Sequence, residues 1–211
     1  MNESDAWSML ETMAQMQEAH NRQVHPDWRV QKYPYYRAVW VECAELLDHF
    51  GWKWWKHQQP DADQVKLEVV DIWHFGLSDL MREEALDAAV ARRLMAVTGA
   101  AGADPEAFRL AVEDLAQQTL SDRLFALGPF VAVLESLPMA LPELFRLYVG
   151  KNVLNHFRQD NGYKSGDYRK TWQGREDNTH LVEILDALEC PPDAVPERLY
   201  HALAARYRSR L

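Results

Sequence analysis

Apolar residues along this chain recur mostly at i, i+3, i+4 and i+7, the spacing that lines one face of a helix. The stretch from Ser4 to about Val24 has this spacing, with Ser4 or Asp5 as the candidate N-cap. "HPDWRVQKYPYY" then interrupts the pattern twice with proline and reads as a loop. A second helix is predicted over Arg37–Phe50, closed by Gly51. The turn "HQQPDAD" leads into a third, from about Ala62 to Met81. Further helical stretches run near Arg82–Val97, Pro105–Ala116, Leu120–Ser136 and Pro142–Arg158. "RQDNGYKSGDYRKTWQGRED" has no apolar period and reads as a long loop, a feature that usually carries function in a compact domain. The last helices are predicted at about Asn178–Leu188 and Pro196–Arg210. The runs "VAVLE" and "LEVVDIW" are β-branched enough for a strand to compete, but no alternating pattern supports one. The expected fold class is all-α.

Two of these helices carry acids where apolar neighbours predict burial. Glu42 and Glu45 are three residues apart among Val41, Cys43, Ala44, Leu46 and Leu47. Glu68 and Asp71 repeat the spacing among Leu67, Val69, Val70, Ile72 and Trp73. Residues three apart share one helix face, with Cβ atoms about 5–6 Å apart. The connection between the two helices is short, so they can pack antiparallel with the acid pairs facing each other. Burying one lone carboxylate costs several kcal/mol, and four would also repel one another. Either a cation neutralises them, or the acids form a solvated face paired with Lys53, Lys56 and Lys66. Mg²⁺ suits an all-oxygen site that also takes a phosphate chain. His74 follows Asp71 on the same face and is open to three roles: metal ligand, sugar contact or hydrogen-bonded core histidine. Zinc is disfavoured, because no second His or Cys has matching spacing. In "GWKWWK", Trp52, Trp54 and Trp55 offer either a base-stacking surface or core packing.

Composition narrows the function classes. The chain has 211 residues, of which 47% are hydrophobic, enough to fill a core in one domain. A formal net charge of −9 argues against sequence-independent DNA binding, which needs excess Lys and Arg. It does not exclude a single nucleotide, whose phosphates a local basic cluster or a divalent cation can neutralise. Cys43 and Cys190 give neither a disulfide framework nor a zinc spacing, and a reducing, cytoplasmic location is expected. The acidic start "MNESDAWSML" does not read as a signal peptide, and no apolar run is long enough to span a membrane.

Against this acidic background one stretch is basic. "KNVLNHFRQDNGYKSGDYRKTWQGREDNTHL" concentrates Lys151, Arg158, Lys164, Arg169, Lys170 and Arg175. Lys151, Asn155 and Arg158 share one helix face, and a glycine-bearing basic loop follows; the pattern suits a polyphosphate or merely balances surface charge.

Together, "VECAELLDHFGWKWWK", "LEVVDIWHF" and "KNVLNHFRQDNGYKSGDYRKTWQGREDN" resemble the all-α dimeric dUTPases, relatives of the MazG-type and phage dCTPase-dUTPase NTP pyrophosphatases. The acid pairs are shared across that whole superfamily, whereas "FRQDNGYK" and "GREDN" are more specific to the dUTPase branch. The resemblance implies one helical domain over 1–211 of the all-α NTP pyrophosphatase type, with about 82–141 as a variable helical insertion. Glu42, Glu45, Glu68 and Asp71 match the catalytic, Mg²⁺-binding acids, which hold two or three ions with substrate and accept Mn²⁺ as a substitute. Lys151, Asn155, Arg158, Tyr163 and Lys170 match residues that hold the phosphates. Asn178 matches an asparagine near the nucleoside, and Trp55 a tryptophan near uracil. In "MQEAHN", Gln17 and Asn21 stand where the family reads the uracil edge, with His20 replacing the usual leucine. His74 or Phe75 is the candidate for packing against the deoxyribose.

The implied activity is Mg²⁺-dependent hydrolysis of dUTP, and of dUDP, to dUMP by attack at the β-phosphorus. The implied enzyme is a cytoplasmic homodimer with no nucleic-acid or membrane partner. The alternatives are a broader dCTP/dUTP or general (d)NTP pyrophosphatase, and a non-catalytic helical module on the same scaffold.

Overall fold

A computed structural model describes residues 1–98, 104–190 and 194–209. Among the described residues the chain folds into α1 (Glu3–Val24), α2 (Tyr35–Phe50), α3 (Ala62–Arg82), α4 (Ala88–Met95), α5 (Pro105–Asp122), α6 (Leu127–Ser136), α7 (Leu141–Asp160), α8 (Asp177–Ala187) and α9 (Val195–Arg208). A two-stranded antiparallel hairpin, β1 (Thr171–Trp172) and β2 (Arg175–Glu176), is the sheet content among those residues. The all-α expectation holds, and both β-branched runs are helical, inside α3 and α6. No helix among the described residues is long and apolar enough to cross a membrane.

The chain divides into two units, Met1–Phe145 and Arg146–Leu211. In the first, α3 is the spine. Leu67, Val69, Val70, Ile72, Trp73 and Leu77 are all buried, so α3 is apolar on nearly every side, as a helix inside a bundle must be. Trp73 stacks on Phe130 with ring centroids 5.3 Å apart. Helix α2 packs antiparallel to α3: the Asp61 amide donates to the His49 carbonyl at one end (3.1 Å), and Arg82 Nη1 donates to the Tyr33 carbonyl at the other (3.0 Å). Gly51 ends α2 as its sequence position predicts, at φ +94°, a conformation that costs a side-chain-bearing residue strain.

In the second unit an aromatic cluster packs beside buried aliphatic residues such as Leu154, Leu181, Leu199 and Leu203. Phe157, Tyr168, Trp172 and Tyr207 pack edge-to-face or stacked, and Trp172 stacks on His180 at 5.2 Å.

Several boundaries differ from the sequence expectation. Helix α1 starts one residue earlier, because Asn2 rather than Ser4 or Asp5 caps it, in a reciprocal capping box with Asp5. Helix α5 runs through Ala116 to Asp122 without the expected break, since Leu115 and Thr119 continue its buried face. Residues 83–87 separate α3 from α4, because Asp87 caps α4 through the amides of Ala89 and Val90. The proline-broken loop holds a short 3₁₀ turn, Trp28–Val30, anchored by the buried Trp28. The predicted end at Arg210 lies outside the described residues.

A tight packing constraint in the first unit is at Gly76 on α3. A Cβ there would lie 2.5 Å from the ring of Phe125, whose amide donates to the buried Asp79 carboxylate at 2.7 Å. Gly76→Ala is therefore expected to lower unfolding stability by about 1–3 kcal/mol, the usual cost of overpacking. Urea denaturation measures it, and Phe125→Leu in the same background should recover part of the loss.

Candidate functional site

Glu42 on α2 and Glu68 and Asp71 on α3 meet as the antiparallel register predicts. Ligand oxygens of these three carboxylates all lie within 4.8 Å of one another. Glu68 is buried, and Glu42 and Asp71 are half-buried. Two of the lysines offered as neutralising partners are engaged elsewhere: Lys53 bridges Asp48 at 3.2 Å, and Lys66 bridges Glu143 at 2.6 Å. His49 reaches Glu68 at 3.6 Å and contributes positive charge only when protonated. Burial, then repulsion from Asp71, Glu68 and Glu45, pushes the Glu42 carboxyl up to about 8. Protonated Glu42 also hydrogen-bonds Glu68. Glu45 is exposed and stands outside the close trio, although its charge is felt by Glu42. An all-oxygen cluster whose nearby lysines are drawn to other acids fits a hard divalent cation such as Mg²⁺. Cys43, beside Glu42, is a buried thiol pushed up to about 12 by burial and the neighbouring charge.

Two turns further along α3, polar side chains meet the end of α1. The four residues Gln17, Asn21, His74 and Ser78 are all buried. His74 Nδ1 lies 2.8 Å from Gln17 Oε1, Gln17 Nε2 donates to Asn21 Oδ1 at 2.9 Å, and Asn21 Nδ2 donates to Ser78 Oγ at 3.0 Å. Gln17 and Asn21 line a cleft of about 470 Å³ together with His20, Trp28, Tyr35 and Phe75. That volume is in the range of small-molecule pockets, and apolar walls with a few convergent polar groups are their usual make-up. His74 sits behind Gln17 rather than on the cleft wall.

Trp55 is not among the residues lining this cleft. It is 57% exposed and packs edge-on against Trp52 and Trp54, each at 5.3 Å. The tryptophan that does line the cleft is Trp28, in a segment whose prolines make it read only as a loop. Phe75 lines the cleft as well, so of the two residues offered for the sugar it is the one presented there.

The second unit gathers most of the candidate phosphate ligands into one network. Arg158 donates through Nε and Nη2 to both oxygens of Asp177 at 2.8 Å, and through Nη1 to Asn155 Oδ1 at 3.0 Å. Lys151 Nζ donates to Asn178 Oδ1 at 3.2 Å. Lys151 and Arg158 are buried, unusual for cations without a functional or structural partner, and Asn178 is buried with them. Tyr163 and Lys170 stand apart as a pair, with the ammonium 5.8 Å from the ring centroid. The sequence reading missed Asp177, the carboxylate that fixes Arg158 and also accepts from Tyr168 Oη at 2.8 Å. Burial, then the Asp177 charge, pushes that phenol upward. Its signal is present in "GREDN", which by pattern alone reads as loop. The loop is tied down by this carboxylate, by the hairpin and by the bond from the Asp177 amide to the Lys170 carbonyl at 2.8 Å.

Residues 9–163 match the sequence model of a family described as dUTPase. The match takes in the four acids, Gln17, Asn21, Trp55, His74 and the segment from Lys151 to Tyr163; it stops short of Lys170 and Asn178. Comparison with curated proteins gives no match.

The raised Glu42 carboxyl carries a stability signature. Between its ordinary value near 4.5 and the folded value of about 8, the folded state keeps a proton that the unfolded state has lost. Stability of the cation-free protein therefore falls as pH rises through that window. Glu42→Gln should flatten the slope and raise stability at pH 8 by roughly 1 kcal/mol or more, a tenfold change in proton affinity being worth about 1.4 kcal/mol. Denaturant midpoints in EDTA from pH 5 to pH 8 read this out, and Mg²⁺ should oppose the wild-type decline.

Proposed function

The chain belongs to the all-α dUTPase family and is a dUTP-hydrolysing enzyme, and from that premise we propose that it uses Mg²⁺ to convert dUTP to dUMP and pyrophosphate, with dUDP as a second substrate. The observation that carries the reading is the trio of carboxylates from α2 and α3 with ligand oxygens within 4.8 Å. Glu42, Glu68 and Asp71, with Glu45 beside them, would hold the cation. When bound, Mg²⁺ supplies charge neutralisation for the phosphate chain.

This chain's own residues do the rest. Gln17 and Asn21 hydrogen-bond the uracil edge, and Phe75 packs against the deoxyribose. Glu45, the exposed acid, takes the proton of the attacking water. That water forms a bond to the β-phosphorus as the bond from it to the oxygen bridging to the α-phosphate breaks, and dUMP leaves. Lys151, Arg158 and Lys170 stabilise the charge that develops on the phosphoryl oxygens, with Asn155 and Tyr163 orienting them. Asn178 orients Lys151 through the bond at 3.2 Å. Trp55 reaches the base only if its exposed cluster rearranges when substrate binds. The enzyme works in the cytoplasm as a homodimer, with 82–141 as a helical insertion in a single catalytic domain.

A panel of dUTP, dUDP, dCTP, dTTP and UTP, assayed with and without Mg²⁺, tests the proposal. The expected result is Mg²⁺-dependent release of dUMP from dUTP and dUDP, with the other nucleotides far slower. Comparable turnover of dCTP would replace it with the broader pyrophosphatase reading. Glu45→Gln and Asp71→Asn should each lower kcat more than about 10²-fold, the scale of losing a charge-stabilising group. Near-normal kcat in both would remove the acid assignment. Gel filtration at twice the 24.5 kDa chain mass would support the dimer.

A further inference from the structure

We propose that Ser78, which does not line the cleft itself, sets the preference for uracil over cytosine by fixing which way the Gln17 and Asn21 amides face. The inference rests on the reading that these two amides hydrogen-bond the base.

Every link in the buried chain is directional. Ser78 Oγ donates its one hydrogen to the His74 carbonyl at 2.9 Å and has the Tyr35 hydroxyl as a further hydrogen-bond partner. Toward Asn21 it can then only accept, and it does so from Nδ2 at 3.0 Å. With its NH₂ on Ser78, Asn21 turns Oδ1 toward Gln17, and Gln17 Nε2 donates to it at 2.9 Å. Gln17 must therefore turn Oε1 toward His74, whose Nδ1 lies 2.8 Å away and donates in the tautomer protonated there. Reversing either amide would set NH₂ against NH₂ or oxygen against oxygen along the chain. Ser78 is 1% exposed, Gln17 3%, Asn21 6% and His74 8%, so bulk water is poorly placed to compensate.

The ligand side inherits this polarity. Uracil and cytosine are nearly the same shape and differ mainly in the order of donors and acceptors. Uracil offers a carbonyl at C4 and a hydrogen on N3; cytosine offers an amino group at C4 and a bare N3. An amide held in one orientation is matched to one of these edges, and an amide free to turn over is matched to both in part. Sites built on fixed polar groups reject the wrong partner strongly because the mismatch leaves buried groups unmet. A hydroxyl on α3, one turn beyond His74, is thus a positioning group for base selection.

The experiment compares kcat/KM for dUTP and dCTP in Ser78→Ala, in the volume-matched pair Ser78→Thr and Ser78→Val, and in Asn21→Ala. The expected result is that Ser78→Ala and Ser78→Val narrow the dUTP:dCTP ratio by about ten-fold or more, mainly through a higher KM for dUTP, the scale of one unmet buried bond. Ser78→Thr, which keeps the hydroxyl and carries the same added bulk as Val, should stay near the wild-type ratio. Nitrogen NMR of His74 should show one tautomer, protonated on Nδ1, in wild type and Ser78→Thr, and a mixture in Ser78→Ala. If Asn21→Ala destroys the preference while the Ser78 variants keep it, or lose both substrates in equal measure, the uracil reading stands and the role of Ser78 is overturned. If Asn21→Ala itself keeps the wild-type ratio, the base is not read there and both are overturned.

Discussion

The repulsion among carboxylates on α2 and α3 is the constraint from which the rest of the first unit follows. Glu68 sits at 5% exposure on a helix that is buried along most of its length, and Glu42 and Asp71 bring two more carboxylates to within 4.8 Å of it. A core that wanted only stability would replace them with leucine, since buried charge seldom repays its desolvation. The fold instead builds the antiparallel pair around them and directs nearby lysines to other acids. Without a cation, a proton on Glu42 relieves the crowding. In the proposed reading the same oxygens would hold the cation. The cluster would then be a place where the protein accepts instability in exchange for a ligand.

Helix α3 treats its other polar residues differently, and the contrast is informative. His74 and Ser78 are bonded within a relay, and Asp79 accepts from the Phe125 amide and pairs with Arg82 at 2.6 Å. Each of those residues has protein partners, so they position. The acids one and two turns earlier are crowded by their own kind, and it is there that we propose a cation. Along one helix, the division between groups met by the protein and groups in mutual conflict separates the scaffold of the site from its reactive end.

Much of this was legible in the sequence for a physical reason: helical periodicity fixes which residues share a face. The pairs Glu42/Glu45 and Glu68/Asp71, and the face Lys151/Asn155/Arg158, could be placed without coordinates. What periodicity does not carry is the partner across a gap. Nothing local marks Ser78 as the group behind Asn21, since the two are 57 residues apart. Asp177 was hidden in the same way, 19 residues from the arginine it fixes. Trp28 was obscured by the prolines around it, and Glu45 shared its spacing with Glu42 yet points to a more exposed side of the helix. Rotation within a face of a few tens of degrees decides exposure, and a three-residue spacing does not resolve that.

An acidic protein acting on a polyanion looks at first self-defeating, yet the range of the forces removes the difficulty. At physiological ionic strength charges on the surface are screened beyond about 8 Å, so the net charge of −9 is felt weakly by a ligand at any one place. What the ligand meets is local. Arg158 is held bidentately by Asp177 and also touches Asn155, so its guanidinium is already oriented and little side-chain entropy remains to be lost on binding. The cost of that arrangement is that Asp177 offsets part of the charge Arg158 offers. In the proposed phosphate-binding role, affinity would thereby be exchanged for fixed geometry, which is the better use of a cation in a hydrolase. A group that binds substrate and transition state equally adds nothing to kcat, whereas one fixed in place stabilises the charge as it forms.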